Sequence, residues 1–334
     1  MKKNISFEEI WEKIKSSDRV IISLHVKPDG DSIGGCCAMK YVLEKNLNKK
    51  VDLISPDLIG GTLKNLDYTK DIIFHKDLQD VSFKEGDIAI CIDSGGKQMF
   101  SNKKNFELPK NVFLINIDHH QTNSFFGNLN YVDPEKASAC DILVEMFKKV
   151  GIKFDRELGR RLLLGICTDG GFFTFDTNPE DAMRNAVFLF DNGVNYIEDI
   201  LKPVKYRMPL NYMRAVAMTV NKLKINVEQK FAYSILSYKD IKSIGLTKEE
   251  IRGPINELQY IEEFDFIFSL TELEDQIKGS FRSKKGVDVS LFAKELGGGG
   301  HKPAAAFVLK KMPLEEAEKK VLEVIKKIGI HKRK

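Results

Sequence analysis

The sequence predicts an α/β protein built from an N-terminal parallel-sheet domain and a smaller α/β domain after it. Three observations lead there. Short runs that are apolar at nearly every position (RVIISLH, KVDLIS, DIAICID and NVFLINID) recur through the first half. Such runs are the mark of strands covered on both faces of a parallel sheet. Stretches with helical periodicity separate or follow them, and the pattern changes past a proline-bearing segment. At 334 residues the chain is long enough for two cores. The expected division is 1–195, a linker at 196–209 holding Pro203 and Pro209, and 210–334.

Taken in order, Ser6–Ser17 reads as a helix, with Ser6 as N-cap and Glu9 completing a capping box. Arg19–His25 is a buried strand, Ser32–Leu47 a helix, and Lys50–Ser55, Asp87–Asp93 and Asn111–Asp118 further strands. Helices follow at Ser138–Val150, Asp155–Cys167 and Pro179–Asn192, the last opened by its proline. In the second half, Leu210–Leu223 reads as a helix and Phe231–Ser237 as a strand. Phe264–Leu273 and Gln276–Ser283 form a hairpin across a Glu-Asp turn. Helices at Lys248–Ile261, Asp288–Leu296 and Leu314–Ile328 accompany them.

Composition narrows the class. Hydrophobic residues make up 43% and charged residues 30%, as in ordinary globular proteins. No apolar run reaches the ~18–20 residues of a membrane helix. MKKNISFEEIWEK lacks the apolar core of a secretory signal, so a cytoplasmic location is expected. The five cysteines form no CxxC pair, and Cys36–Cys37 read as buried free thiols. The net charge is +4, with HKRK at the end supplying three positive charges, which is too little for wrapping long nucleic acid.

Polar clusters close four successive elements: His25 with Asp29-Gly30-Asp31, Asp93-Ser94-Gly95-Gly96, Asp118-His119-His120, and Thr168-Asp169-Gly170-Gly171. Ligands of open α/β sheets bind outside the carboxyl ends of the strands, so the clusters should converge. Singly, each has an ordinary explanation: PDGD is a good turn and Asp93 a possible N-cap. Four in succession are not explained that way. Imidazoles and carboxylates without thiolate suit Mn²⁺, Fe²⁺ or Zn²⁺, and the carboxylate majority favours Mn²⁺. Asp29 and Asp31, placed in one glycine-containing loop, would feed two separate ions. A carboxylate bridging two ions ~3.5–4 Å apart would activate water and neutralise a phosphoryl transition state. His75 and His331 read as surface residues.

The second half adds GGGGHKPAAAF, where glycines let backbone N–H groups approach an anion. The HKPAAAFVLK that it runs into reads as a buried strand. Arg282, at a strand end, is a fork for phosphate or for stacking on a base.

With HVKPDGD, CIDSG, IDHH, TDGG and GGGGH in that order, the chain resembles the DHH phosphoesterase family with its DHH-associated C-terminal domain. The resemblance spans nearly the whole chain and points to the nanoRNase/pAp-phosphatase branch. It implies a hydrolase using two divalent metal ions, with Mn²⁺ favoured, and an active site in the cleft between two domains. One ion would be held by His25, Asp29 and Asp93, the other by Asp31, Asp93, His119 and Asp169. Asp118 would orient His119, and His120 would face the scissile phosphate. Arg282 and Gly298, Gly299, Gly300 and His301 would grip the far end of a short RNA, dinucleotide or pAp. No protein partner is implied beyond a homodimer, and no membrane. Two positions depart from the branch: Gly170 in a motif that commonly reads TDTG, and Ala306 where a glycine is usual.

Other readings of the same motifs are a linear or cyclic dinucleotide phosphodiesterase, a manganese inorganic pyrophosphatase, a processive single-strand exonuclease and a non-catalytic nucleotide sensor. GGGGH speaks against the pyrophosphatase, near-neutral charge against the processive exonuclease, and the complete ligand set against the sensor.

Overall fold

The computed structural model describes residues 4–174, 178–207, 209–245, 254–284 and 286–329. The chain divides into two compact units, Met1–Arg207 and Met208–Lys334.

The first unit runs α1 (Phe7–Lys15), β1 (Arg19–Ser23), α2 (Gly30–Leu47), β2 (Lys50–Ser55), β3 (Ile73–Phe74), β4 (Ile88–Ile92), β5 (Phe113–Asp118), β6 (Leu129–Val132), α3 (Ala139–Lys149), α4 (Arg156–Asp169) and α5 (Pro179–Asp191). At the start of α1, the Ser6 hydroxyl accepts from Glu9 N–H while the Glu9 carboxylate accepts from Ser6 N–H. The expected capping box is therefore closed from both sides. The six strands are parallel, in the order β3-β2-β1-β4-β5-β6. The short strands β3 and β6 carried no sequence signal. Because the chain winds outward from β1 and then returns to β4, the order reverses between those two, and a crevice opens at their carboxyl ends.

Alternate residues of the central strands feed two cores. Val20, Ile22, Ile90, Ile115 and Ile117 pack with Ile33, Leu143 and Leu162 of α2, α3 and α4. Ile21, Ala89, Cys91 and Leu114 face the other way, against Leu78, Phe100 and Phe106. With both faces covered, every position of β4 is buried, and each isoleucine contributes roughly 1.5–3 kcal/mol.

Helices α2 and α4 approach to backbone distance. A Cβ at Gly34 would overlap the Arg161 carbonyl, and one at Gly165 would overlap Asp31 Oδ1 and Cys140 Sγ. Segment 196–209, expected as a linker, is instead largely a widened helical stretch, Ile197–Lys205, with Pro203 inside it. The Asp199 carboxylate accepts from Asn195 N–H (2.8 Å) and from Arg156 Nε and Nη2 (3.1 and 2.8 Å), which ties the stretch to the first turn of α4.

The second unit runs α6 (Leu210–Asn221), β7 (Lys224–Asn226), β8 (Phe231–Leu236), α7 (Tyr238–Ile244), α8 (Pro254–Leu258), β9 (Phe266–Glu272), β10 (Gln276–Ser283), α9 (Val289–Glu295), β11 (Gly299–His301), β12 (Ala304–Lys310) and α10 (Leu314–Ile328). Its sheet has the order β11-β12-β10-β9-β8-β7 and is antiparallel except between β8 and β9. Of the helix expected at Lys248–Ile261, residues 248–253 lie outside the described residues, and Pro254–Leu258 is helical. Among the described residues, no helix is long and apolar enough to cross a membrane.

Candidate metal centre

Four chain segments of the first unit meet at the carboxyl ends of β1, β4 and β5. His25 follows β1 and is buried. Its Nδ1 lies 2.8 Å from the Val26 carbonyl, which fixes that nitrogen as the donor and turns the Nε2 lone pair inward. Nε2 stands 3.3 Å from Asp93 Oδ2 and 3.6 Å from Asp29 Oδ1.

Asp29 and Asp31 do not share a loop, as the sequence suggested. Asp29 is the N-cap of α2, accepting from Asp31 and Ser32 N–H (both 3.1 Å), and Asp31 lies in the first helical turn. A short side chain that satisfies free amides starts the helix two residues earlier than the apolar pattern does. Asp31 is fully buried, and its two oxygens accept from Ala139 (2.6 Å) and Cys140 (2.9 Å) N–H, the opening amides of α3. That helix end stabilises the carboxylate, and the absent Cβ of Gly165 leaves room for it.

Asp93, directly after β4, has φ of +64°, a left-handed conformation that aspartate tolerates better than most residues. Its N–H still donates to the Ile117 carbonyl (2.9 Å), so the main chain stays in the sheet while the side chain turns into the crevice. Asp93 Oδ2 faces His25. Asp93 Oδ1 faces His119 Nε2 at 3.5 Å and His120 Nδ1 at 3.7 Å. His119 Nε2 is also 3.1 Å from Asp169 Oδ2 at the end of α4, and Asp31 completes that group. The proposed ligands thus gather as two triads, His25/Asp29/Asp93 and Asp31/His119/Asp169, with Asp93 reaching into both.

Asp118 holds a different histidine from the one expected. Its Oδ1 is 2.7 Å from His120 Nδ1, whereas His119 Nδ1 faces the Lys136 carbonyl at 3.3 Å. Alternation at a strand end puts residues 118 and 120 on one side and 119 on the other. The second oxygen of Asp118 accepts from Asn123 Nδ2 (2.6 Å), which also donates to the Ser94 carbonyl (3.0 Å). Asn123 went unnoticed in the sequence because QTNSFF looks like an ordinary turn.

The electrostatics call for cations. Burial alone would lower His25 and His119, but hydrogen bonds to Asp29, Asp93 and Asp169 outweigh it and hold both well above their ordinary value. Burial pushes Asp31 up, and the charges of Asp93 and Asp169 push it further. Burial would also raise Asp93, but its histidine partners hold it far below the usual carboxylate range. With Nδ1 of His119 facing a carbonyl, its buried Nε2 points at the carboxylate oxygens of Asp93 and Asp169. Lone pairs facing lone pairs in a buried site are stable only around a proton or a metal, and this nitrogen–oxygen set fits divalent cations.

The second unit places its predicted residues in one corner of its sheet. Arg282 on β10 pairs with Ala304 on β12, which pairs with His301 on β11. Arg282 is half-buried, donating from Nε to Asn256 Oδ1 (2.9 Å) and from Nη1 to the Phe281 carbonyl (2.8 Å). The glycine run is not a loop throughout. Gly297 (φ +80°) follows α9, and Gly299–His301 are edge strand β11. A Cβ at Gly298 would overlap the Ala306 carbonyl, so the glycines allow close strand packing. His75 is exposed after β3, His331 lies outside the described residues, and all five cysteines are buried free thiols.

Residues 19–166 match the DHH family, N-terminal domain, and residues 228–328 the DHHA1 domain. The bifunctional oligoribonuclease and PAP phosphatase NrnA of Thermus thermophilus is 28% identical over 95% of this chain and 94% of its own length. The protein of the same name from Bacillus subtilis is 25% identical over 88% of this chain and 90% of its own length. The crystal structure of an exopolyphosphatase-related protein from Bacteroides fragilis shares the fold, with a TM-score of 0.89 at 23% identity over 96% of this chain and 95% of that one. The chain belongs to the DHH family and is a phosphoesterase that carries both the DHH and the DHHA1 domain.

Proposed function

We propose that this chain hydrolyses short 5′-phosphorylated oligoribonucleotides to nucleoside monophosphates and removes the 3′-phosphate of pAp, in the cytoplasm. The observation that carries the proposal is Asp93, whose two oxygens face His25 and His119, the heads of two separate ligand groups. One cation is assigned to His25, Asp29 and Asp93, the other to Asp31, Asp93, His119 and Asp169, with Mn²⁺ favoured by the carboxylate majority. Such a pair, when bound, supplies an acidified water and neutralises phosphoryl charge.

The protein's own groups do the rest. Burial would lower His120, but Asp118 outweighs it and keeps the imidazole raised towards the charged form. With Nδ1 held by Asp118, His120 is assigned the role of proton donor to a phosphate oxygen or to the departing alkoxide. Asp118 is fully buried and tied by Asn123, which keeps the ring from swinging. Catalysis is assigned to the first domain. The second is given a nucleotide-holding role, through Arg282, Gly298, Gly299, Gly300 and His301. The activities for which the Thermus and Bacillus relatives are named support this choice of substrates.

The test incubates the purified chain and Mn²⁺ with pAp, 5′-phosphorylated RNA of increasing length, linear and cyclic dinucleotides, and pyrophosphate. Release of nucleoside monophosphate from the shortest RNAs, and of AMP from pAp, is expected. Rapid pyrophosphate turnover without nucleotide products would overturn the proposal.

A further inference from the structure

The chain directly after Asp169 is strained in a way that turning alone does not require. Gly171, Phe172 and Phe173 have φ of +56°, +57° and +66°, three left-handed residues in succession. Residues with side chains usually visit that region singly. Gly170, which could take it without strain, has φ of −73°. Two bulky aromatics therefore share the costly conformation with Gly171, while Gly170 in the same turn does not take it. The turn is pinned by Phe172 N–H to the Cys167 carbonyl (2.6 Å) and Thr174 N–H to the Gly170 carbonyl (3.2 Å). Strain that surroundings enforce gathers at functional sites.

The ring of Phe172 has a visible use. Lys205 Nζ, at the end of the stretch Ile197–Lys205, lies 4.4 Å from its centroid. A cation on a flexible stem is thus held over a ring three residues from a proposed metal ligand. Charge bookkeeping gives it a task. Four carboxylates (Asp29, Asp31, Asp93 and Asp169) formally balance two divalent cations. The centre then has no net positive charge left for the phosphate of a nucleotide.

We propose that Lys205 is a phosphate-binding residue of this site and that Phe172, held in its strained turn, is the positioning residue that presents it. The inference rests on the reading of the chain as a nucleotide phosphoesterase. Lys205 is exposed, and a cation–π contact at the surface is weak enough to yield to a phosphate oxygen.

The test uses the full chain loaded with Mn²⁺. Lys205→Gln should raise KM for 5′-phosphorylated diadenylate about tenfold, leave kcat and manganese content unchanged, and flatten the salt dependence of KM. Phe172→Leu should shift KM in the same direction, and Phe172→Trp, which keeps a face for the cation, should restore it. Binding of inorganic phosphate, titrated calorimetrically, should weaken in Lys205→Gln by a similar factor. Unchanged phosphate affinity and KM in Lys205→Gln would overturn the proposal, as would loss of manganese in parallel with KM. If the wild-type chain turns over no nucleotide, the substrate reading falls, while the phosphate titration still decides the role of Lys205.

Discussion

Replacing Asp93 by asparagine tests the centre most directly. Asparagine keeps the shape and tolerates φ of +64°, whereas alanine would add strain at the same position. What changes is one negative charge, 3.3 Å from His25 and 3.5 Å from His119. A unit charge pair ~4 Å apart is worth about 4 kcal/mol at an effective dielectric of ~20. Against a divalent ion the attraction is larger still, so its loss weakens each of the two ions by at least about three orders of magnitude. Equilibrium dialysis with elemental analysis reads the result. The wild type should hold two manganese ions per chain at micromolar metal, and Asp93→Asn should hold neither. If the variant retains one ion at wild-type affinity, Asp93 serves a single ion and the bridge is refuted. Two retained ions would refute its role as a ligand. Far-ultraviolet circular dichroism guards against unfolding, since the main-chain bond to Ile117 does not depend on the carboxylate.

Three further outcomes are expected. Gly165→Ala drives a methyl into Asp31 and Cys140, so it should cost about 1–3 kcal/mol in thermal unfolding and lower manganese content. Asp118→Asn leaves burial to dominate His120, so its pKa should fall; the limb of the pH–rate profile set by losing that proton should move to lower pH, with metal content unchanged. The metal-free chain has His25 and His119 raised above 6.5, so their stabilisation is complete below that pH and is lost as pH rises through the folded values. Metal binding must displace those protons, so the gain in Tm on adding Mn²⁺ should grow from pH about 6 to about 8; a gain that shrinks would show that the histidines are not ligands.

Much of the first domain was legible because its signals are local. Four strands could be read because both faces of the sheet are covered, and Ser6 with Glu9 closed the box that their spacing announced. The strands β3 and β6 were invisible because two and four residues carry no period. The identities at the centre were visible as residue types at element ends, but their pairing was not. That Asp118 serves His120 depends on side-chain alternation past β5. That Asp31 binds the opening amides of α3 depends on a contact 108 positions away. Neither is encoded in neighbouring residues. The glycine run shows the reverse error: a composition that suits an anion loop also suits a strand edge, and here Gly298 packs against the Ala306 carbonyl.

The position of the centre follows from the cost of its charges. Asp31 and Asp93 are buried carboxylates, and a buried charge is tolerated only where fixed partners meet it. Helix α3 offers its first amides to Asp31, and α2 offers its own to Asp29, so two helix starts point positive ends at one crevice. They stabilise the carboxylates only in part, since burial still raises Asp31 and Asp169. The remainder has to come from protons on His25 and His119 or from cations that replace them. The reversal of strand order between β1 and β4 opens the space, and the close crossing of α2 and α4 through Gly34 and Gly165 brings Asp31 and Asp169 to it. A larger residue at either glycine would separate the helices and leave each carboxylate to find its own counter-charge. The demand for metal therefore resides as much in those two glycines as in the ligands themselves.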